Sequence, residues 1–372
     1  MKKKKYLSLK RLKESMRHIK DPRRERGNFR HLLVDILVIT LLGMICGCES
    51  WEEIHDYGKT KKAWLKTILT LKKGIPSADT FRRLFERINP EELEKMYREW
   101  VTPYVGSCMQ KQINIDGKTI RGAGTRLHMV SAWIREDGVT LGQARTEEKS
   151  NEIIAIPELL ATLDIAGGTV SIDAIGCQRK ICKKVIEKGA DYLFAVKMNQ
   201  PTLYEEINEY FQWAVEDEVE SKILSRYETI EKGHGRITRR RVTATNEVAW
   251  FESKSDWACL RSFVMVERKT IKGEKESYEK QYYISSVQVG AEKFYQLVRN
   301  HWSIENQLHW VLDVTFNEDR ILIGKGHSAQ NLSLLRKIAL ALLKNTPSIK
   351  ASLRRKQNIA GWDNDFLSSI FL

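Results

Sequence analysis

Apolar residues recur along this chain with two different periods, and the change between them falls near residue 111. Before it the spacing is helical. LSLKRLKESMRHIK is basic and amphipathic, and HLLVDILVITLLGMICGC (31–48) is apolar almost throughout. WEEIHDYGKTKKAWLKTIL again shows apolar positions on one helical face. GIPSADTFRRLFERI opens on a Pro-Ser start signal. NPEELEKMYREWV opens on Asn89 as N-cap, with Pro90 at the first helical position and acids in the first turn. DPRRERGN, at 21–28, reads as a turn-rich break.

After residue 111 short β-branched runs take over. QINIDGK reads as a strand that ends at Asp116. HMVSAWIR and VTLGQART read as a hairpin turning at Glu136-Asp137-Gly138. NEIIAIPELLATL is a helix, GGTVSIDA a strand, CQRKICKKVIEKG a helix stopping at Gly189, DYLFAVKMN a strand and QPTLYEEINEYFQWAV a helix. The order β-β-β-α-β-α-β-α predicts a mixed sheet covered by helices and matches a ribonuclease-H-like α/β fold, in which the first and fourth strands are neighbours. Residues 220–287 carry strands without helices between them, read as a β-rich insertion, and helix returns from Glu292 and again from about Ala329. The expected organisation is a helical DNA-binding or associated domain at 1–105, then a catalytic domain at 106–372 holding that insertion.

Composition narrows the function. The 372 residues carry a formal net charge of +14, and residues 1–30 contribute 13 Lys/Arg against 3 Asp/Glu. Such an excess suits a polyanion, nucleic acid before an acidic membrane surface, although a solvated basic tail has the same composition. No pair of the six cysteines has Cys-x-x-Cys spacing and no Cys/His set has zinc-finger spacing, so they read as reduced, small buried residues. The apolar run at 31–48 is short for a membrane span and contains Asp35. It reads as a buried helix of a cytoplasmic protein.

Candidate chemistry centres on RNHWSIENQLHWVLDVTFNEDR, residues 299–320. On a regular helix with Glu305 at zero, Val298 and His309 fall at about +20° and +40°, and Phe294, Leu312, His301 and Leu308 between about −20° and −60°. Glu305 therefore borders the apolar arc, between two histidines. A carboxylate there needs a partner, either an arginine or a metal ion. Asp116 and Asp173 favour the metal. Each ends a β-branched strand, at the carboxyl edge where open α/β sheets place their sites. Three carboxylates suit hard divalent cations, and two such ions drive in-line phosphodiester displacement.

INIDGKTIRGA, VSIDAIGCQ and the 299–320 block resemble the three catalytic blocks of DDE transposases of bacterial insertion sequences, in the ISAs-type branch that includes the H-repeat-associated proteins. DPR…G…R and GIPSADTF resemble that branch's associated domain, so the likeness spans nearly the whole chain. It implies Asp116, Asp173 and Glu305 as a metal-binding catalytic triad. It implies two Mg2+ ions, with Mn2+ as substitute, and double-stranded DNA as partner, both transposon ends and target, bound by a homodimer with no membrane involved. A related branch carries a Tyr-x2-Arg-x3-Glu-x6-Lys signature. Here Tyr295, Arg299 and Glu305 are spaced differently and Leu312 stands in the lysine position, so that signature's DNA contacts do not transfer.

The remaining DNA-binding candidates are Arg299, His301 and Asn306 beside Glu305, Arg239 and Arg240 in the RITRRR strand, and Lys118 and Arg121 after the first aspartate. Lys118 and Arg121 fit phosphate contacts and exposed turn positions equally. Glu318 and Asp319 are the reserve should Glu305 prove structural. The leading expectation is a transposase that binds element ends, cleaves them and transfers the 3′-hydroxyl to target DNA. The rivals are a catalytically inactive DNA-binding relative, such as a repressor of the element, and a metal-dependent nuclease without strand transfer.

Overall fold

A computed structural model describes residues 7–23, 30–123, 127–146, 151–217, 220–233, 235–321, 323–346 and 349–370. The Lys-rich residues 2–5 and most of the DPRRERGN segment lie outside these. Two compact units emerge, both discontinuous in sequence. The first comprises residues 1–106, 117–149 and 305–372, the second residues 107–116 and 150–304.

The first unit opens with helices α1 (Leu9–Met16), α2 (Leu33–Ile45), α3 (Trp51–Thr60), α4 (Lys62–Ile68), α5 (Ala78–Phe85) and α6 (Pro90–Val105). The sequence signals act as read at Ser77 and Asn89, whose side chains cap α5 and α6; the structure adds a capping box of Ser50 with Glu53 on α3. Helix α2 is buried on all sides because it packs among α1, α3, α13 (Ser328–Asn345) and α14 (Leu353–Trp362). Asp35, the acid within that apolar run, accepts the backbone N–H of Leu71 at 3.0 Å, which offsets its burial. No helix among the described residues is long and apolar enough to cross a membrane, and all six cysteines are free. Helices α6 and α13 both pack on the hairpin strand β3 (Val139–Thr146), the partner of β2 (Leu127–Ile134), while α15 (Asn364–Ser369) packs on α14.

The second unit holds β4 (Thr169–Ile172), β5 (Asp191–Val196) and β6 (Ser225–Gly233) through β7 (Arg236–Thr245), β8 (Ser262–Lys272) and β9 (Lys275–Ser285). Its helices are α7 (Glu152–Thr162), α8 (Arg179–Glu187), α9 (Pro201–Glu216), the single turn α10 (Glu220–Ile223) and α11 (Ala291–His301). Strand β1 (Gln112–Ile120) runs from this unit into the first, and the strand order through it is β3-β2-β1-β4-β5-β9-β8-β7-β6. This is a mixed sheet flanked by helices. Strands β1, β4 and β5 are parallel to their neighbours in this series, and β5, β9, β8, β7 and β6 alternate.

Two expectations about strands are refined. The run at 220–287, read as a β-rich insertion, joins the sheet: β9 pairs with β5 and extends it by four antiparallel strands. Strand β1 continues through Asp116-Gly117 to Ile120 rather than ending at Asp116. Helix α11 lays Ala291, Phe294, Leu297 and Val298 on Leu193, Val242, Ala244, Val264, Val266 and Tyr283. That is the apolar arc read from the sequence, and it fixes α11 on the sheet.

Candidate active site

Strand β1 alternates polar and apolar residues: Gln112, Asn114 and Asp116 share one face, with Ile113 and Ile115 buried on the other. Its parallel partner β4 places Ser171 and Asp173 on the matching face. The register pairs Asn114 with Ser171 and Ile115 with Ile172. Asp116 and Asp173 thus both follow the Ile115–Ile172 rung, on strands separated by roughly 4.8 Å.

A buried hydrogen-bond ladder holds this face to α11. Gln112 Nε2 donates to Ser171 Oγ at 3.0 Å and to the Leu297 carbonyl at 2.9 Å. Asn114 Nδ2 donates to the Asn300 carbonyl and to Ser303 Oγ, both at 3.0 Å. Ser171 Oγ donates to Asn114 Oδ1 at 2.7 Å and lies 3.0 Å from His301 Nδ1. A satisfied network in a low-dielectric interior resists shear, so strand register and helix position are coupled beneath the two aspartates. Sequence reasoning overlooked Gln112, Asn114 and Ser171, although the polar residues at every second position of QINID and SID were the signal.

Asp173 is half-exposed, and its Oδ1 lies 3.3 Å from Nζ of Lys197, the residue that follows β5. Burial pushes the His301 imidazole down to about 4, with Asp173 raising it and Lys197 lowering it. His301 is therefore a neutral hydrogen-bonding member of the ladder.

Glu305 opens the last segment of the first unit. The helical spacing used above is broken there: Glu305–His309 forms a π-helical turn between α11 and α12 (Trp310–Val314). The extra residue in such a turn shifts every later position around the axis. Glu305 and Asn306 are exposed while Leu308 and His309 are buried. Glu305 is thus displayed to solvent rather than set at the edge of the core, and π turns of this kind often occur at functional sites. Burial pushes His309 down to about 3, helped by Lys337 and Lys118 and opposed by Glu318.

These histidines have a measurable consequence. An unfolded histidine protonates near pH 6.5, well above the folded values of His301 and His309. Acidification therefore charges the unfolded chain first, and stability falls as pH drops from 6.5 towards each folded value. Each contributes a loss of about 1.4 kcal/mol per pH unit, or about 2–3 kcal/mol between pH 6.5 and 4.5. Replacing His309→Asn is expected to flatten the pH dependence of thermal unfolding in that window by this amount. An unchanged slope would show that His309 is not buried in its neutral form.

The other candidates fall into two groups. Lys118 is not presented to a phosphate. Its Nζ lies 2.7 Å from Asp313 Oδ1 and 3.1 Å from both Glu318 Oε2 and Asp319 Oδ1, with the side chain only 9% exposed. The reserve acids are engaged with it. Glu318 is buried and also faces Arg336 at 3.5 Å. Burial pushes its carboxyl up, but Lys118, Arg336 and Lys337 outweigh this and hold it below its ordinary value. Glu318 is a core ion-pair residue.

The second group lies at or near the surface, with Arg240 the most enclosed at 13% side-chain exposure. Arg121 is exposed. Arg239 and Arg241 share Glu228 at 2.8 and 3.2 Å, and Arg240 and Arg299 share Glu231 at 2.7 and 3.5 Å. Arg239 and Arg299 are both about half-exposed, so water and salt screen their pairs and leave them weak. A phosphate can displace such a carboxylate at little cost.

The donor chemistry of Asp116 and Asp173 fits a hard divalent cation: two carboxylates one rung past a shared β-pair, one of them half-exposed. Among the described residues, no three His, Cys, Asp or Glu side chains form a group that could hold a metal ion.

Comparison with known proteins places this arrangement. Residues 109–342 match the family model described as the transposase DDE domain, and residues 13–101 match the model described as DDE_Tnp_1-associated. The chain belongs to the DDE transposase family. "H repeat-associated putative transposase YhhI" of Escherichia coli strain K12 is 37% identical over 98% of this chain and 98% of its own length. "Putative transposase YncI" of Escherichia coli O157:H7 is 39% identical over 93% of this chain and 91% of its own. Both bear out the resemblance drawn from the sequence blocks, and the ribonuclease-H-like fold class stands with them. Among solved structures, the piggyBac transposase synaptic complex with hairpin DNA aligns at TM-score 0.42 and 10% identity, over 98% of this chain and 77% of that one, a likeness too remote to inform the fold. For this DDE transposase relative, Asp116 and Asp173 lie in the INID and SID blocks and Glu305 in the WSIEN block, all inside the matched region.

Proposed function

We propose that this protein is the transposase of an insertion sequence, cutting the ends of its element and joining them to target DNA through Asp116, Asp173 and Glu305. One observation carries the reading: the two aspartates of separate sequence blocks emerge one residue past the same rung of adjacent parallel strands. That pairing turns two ordinary turn-forming residues into a pair of hard oxygen donors.

Asp116, Asp173 and Glu305 would hold Mg2+, with Mn2+ as substitute. When bound, the ions supply nucleophile activation and leaving-oxygen stabilisation. The protein's own groups do the rest. The Gln112–Asn114–Ser171–His301 ladder holds the aspartates in register. Lys197 lies beside Asp173, where it balances carboxylate charge before DNA arrives. Arg121, Arg239, Arg240, Arg299 and Asn306 supply contacts to the DNA backbone, with Arg239, Arg240 and Arg299 exchanging glutamate for phosphate. The helical residues 1–105, with their basic start, bind DNA, while the catalytic residues lie within 106–372. Two ends must be paired for joining, so the working form is a homodimer on DNA in the cytoplasm.

Labelled DNA carrying the element's ends tests this, with Mg2+ or Mn2+ and with wild type beside Glu305→Ala. The expected result is cutting and joining by wild type and neither by the variant, with DNA binding retained. Cutting without joined products would identify a nuclease, and binding without cutting by either protein would identify an inactive DNA-binding relative.

A further inference from the structure

We propose that Lys118 is a positioning residue for this reaction: its buried ammonium fixes the segment that follows Glu305 against the end of β1. The proposal rests on the reading of Asp116 and Glu305 given above.

Lys118 is two residues beyond Asp116 on β1, so the two share a strand face. Its ammonium donates to Glu318 and Asp319 at 3.1 Å each and forms an ion pair with Asp313 at 2.7 Å. Asp313 lies in α12, the helix that continues directly from the π turn opened by Glu305. Glu318 and Asp319 lie in the loop after it, and Glu318 also reaches Arg336 on α13. One ammonium thus ties the end of β1 to both sides of the chain reversal that follows Glu305.

The backbone reinforces the tie. Asp319 Oδ1 also accepts the backbone N–H of Arg121 at 3.2 Å. At Gly122 an added Cβ would stand 2.6 Å from the Ile321 carbonyl oxygen and 3.0 Å from that of Asp319. The 319–321 loop therefore crosses β1's end at a distance only glycine permits. An exposed phosphate-binding lysine needs none of this. A lysine that sets the position of a neighbouring carboxylate needs burial, several fixed partners and a rigid crossing, and Lys118 has all three.

Residues that orient metal-binding carboxylates typically cost 10–100-fold in affinity when removed. The test uses the full chain and Mn2+ alone, titrated by the electron paramagnetic resonance signal of the free ion, with circular dichroism and thermal melting to confirm folding. Lys118→Met and the milder Asp313→Asn are compared with Asp116→Asn and Glu305→Gln. The expected result is loss of Mn2+ binding in the two ligand variants. Lys118→Met should weaken binding roughly 10–100-fold and Asp313→Asn less, in folded proteins with unchanged DNA affinity. If Lys118→Met does not fold, Asp313→Asn decides. Wild-type Mn2+ affinity in the folded clamp variants, with binding lost in the ligand variants, overturns the positioning role and leaves the triad intact. Wild-type affinity in Asp116→Asn and Glu305→Gln overturns the triad, and the positioning role with it.

Discussion

Asp173→Asn is expected to reduce DNA cleavage by on the order of 10³-fold or more, equivalent to about 4 kcal/mol of transition-state stabilisation. The substitution keeps size and hydrogen-bonding capacity but removes the charge a cation would require. The side chain is half-exposed, and its charged contact is the surface Lys197 at 3.3 Å. Losing an exposed pair costs about 0–1 kcal/mol, so the variant should fold and melt close to wild type. That separation of effects is the signature of chemistry rather than architecture. A variant that cuts within tenfold of wild type, measured as the single-turnover rate on pre-cleaved and intact end DNA, would remove Asp173 from the catalytic set.

Glu318→Gln is expected to do the opposite. Its carboxylate is fully enclosed between Lys118 at 3.1 Å and Arg336 at 3.5 Å. Neutralising it leaves Arg336, itself buried, without its opposite charge. Breaking a buried pair by removing one partner costs about 3–5 kcal/mol. Urea denaturation should show a loss of that size, against a total stability typically of about 5–15 kcal/mol. Loss below about 1 kcal/mol, in the range of a surface pair, would mean that Glu318 is solvated and would restore it as a reserve ligand.

The contrast between these two acids shows what a sequence discloses. Asp173 lies between the apolar Ile172 and Ala174, whereas Glu318 lies between Asn317 and Asp319. Asp173 was legible because the strand order β-β-β-α-β fixes β1 beside β4, and pairing then follows from alternation of period two. Glu318 was not, because its partners come from positions 118 and 336, and no local period predicts which distant cation a buried carboxylate will meet. The π turn at Glu305 was illegible for a related reason. A wheel drawn at a constant angle assumes uniform hydrogen bonding, but α11 ends at His301 and a π turn opens at Glu305, so the wheel does not carry across and Glu305 lies at the surface. The long arms of β6–β9 were legible as strands but not as an extension of the central sheet, since the β5–β9 pairing spans residues 191–285 and needs the tertiary fold to bring it about. Capping, by contrast, was read correctly at Ser77 and Asn89 because caps are decided within four residues.

The arginines of β7 and α11 gain their interest from the same pattern of partners. Arg239, Arg240 and Arg299 are balanced by Glu228 and Glu231, so their charge is held in reserve on β6, β7 and α11. Displacement of glutamate by phosphate makes binding steeply salt-dependent, since each phosphate neutralised releases counterions.

Ligand identity at the paired aspartates is the central claim, and a change of donor atom tests it most directly. In Asp116→Cys and Asp173→Cys a soft thiolate replaces a hard oxygen, which disfavours Mg2+ and is tolerated by Mn2+. Each variant should fail to cut end DNA in Mg2+ and regain cutting in Mn2+, while Asp116→Ala and Asp173→Ala fail in both. Cutting by the cysteine variants in Mg2+ at the wild-type rate would contradict metal ligation by these residues.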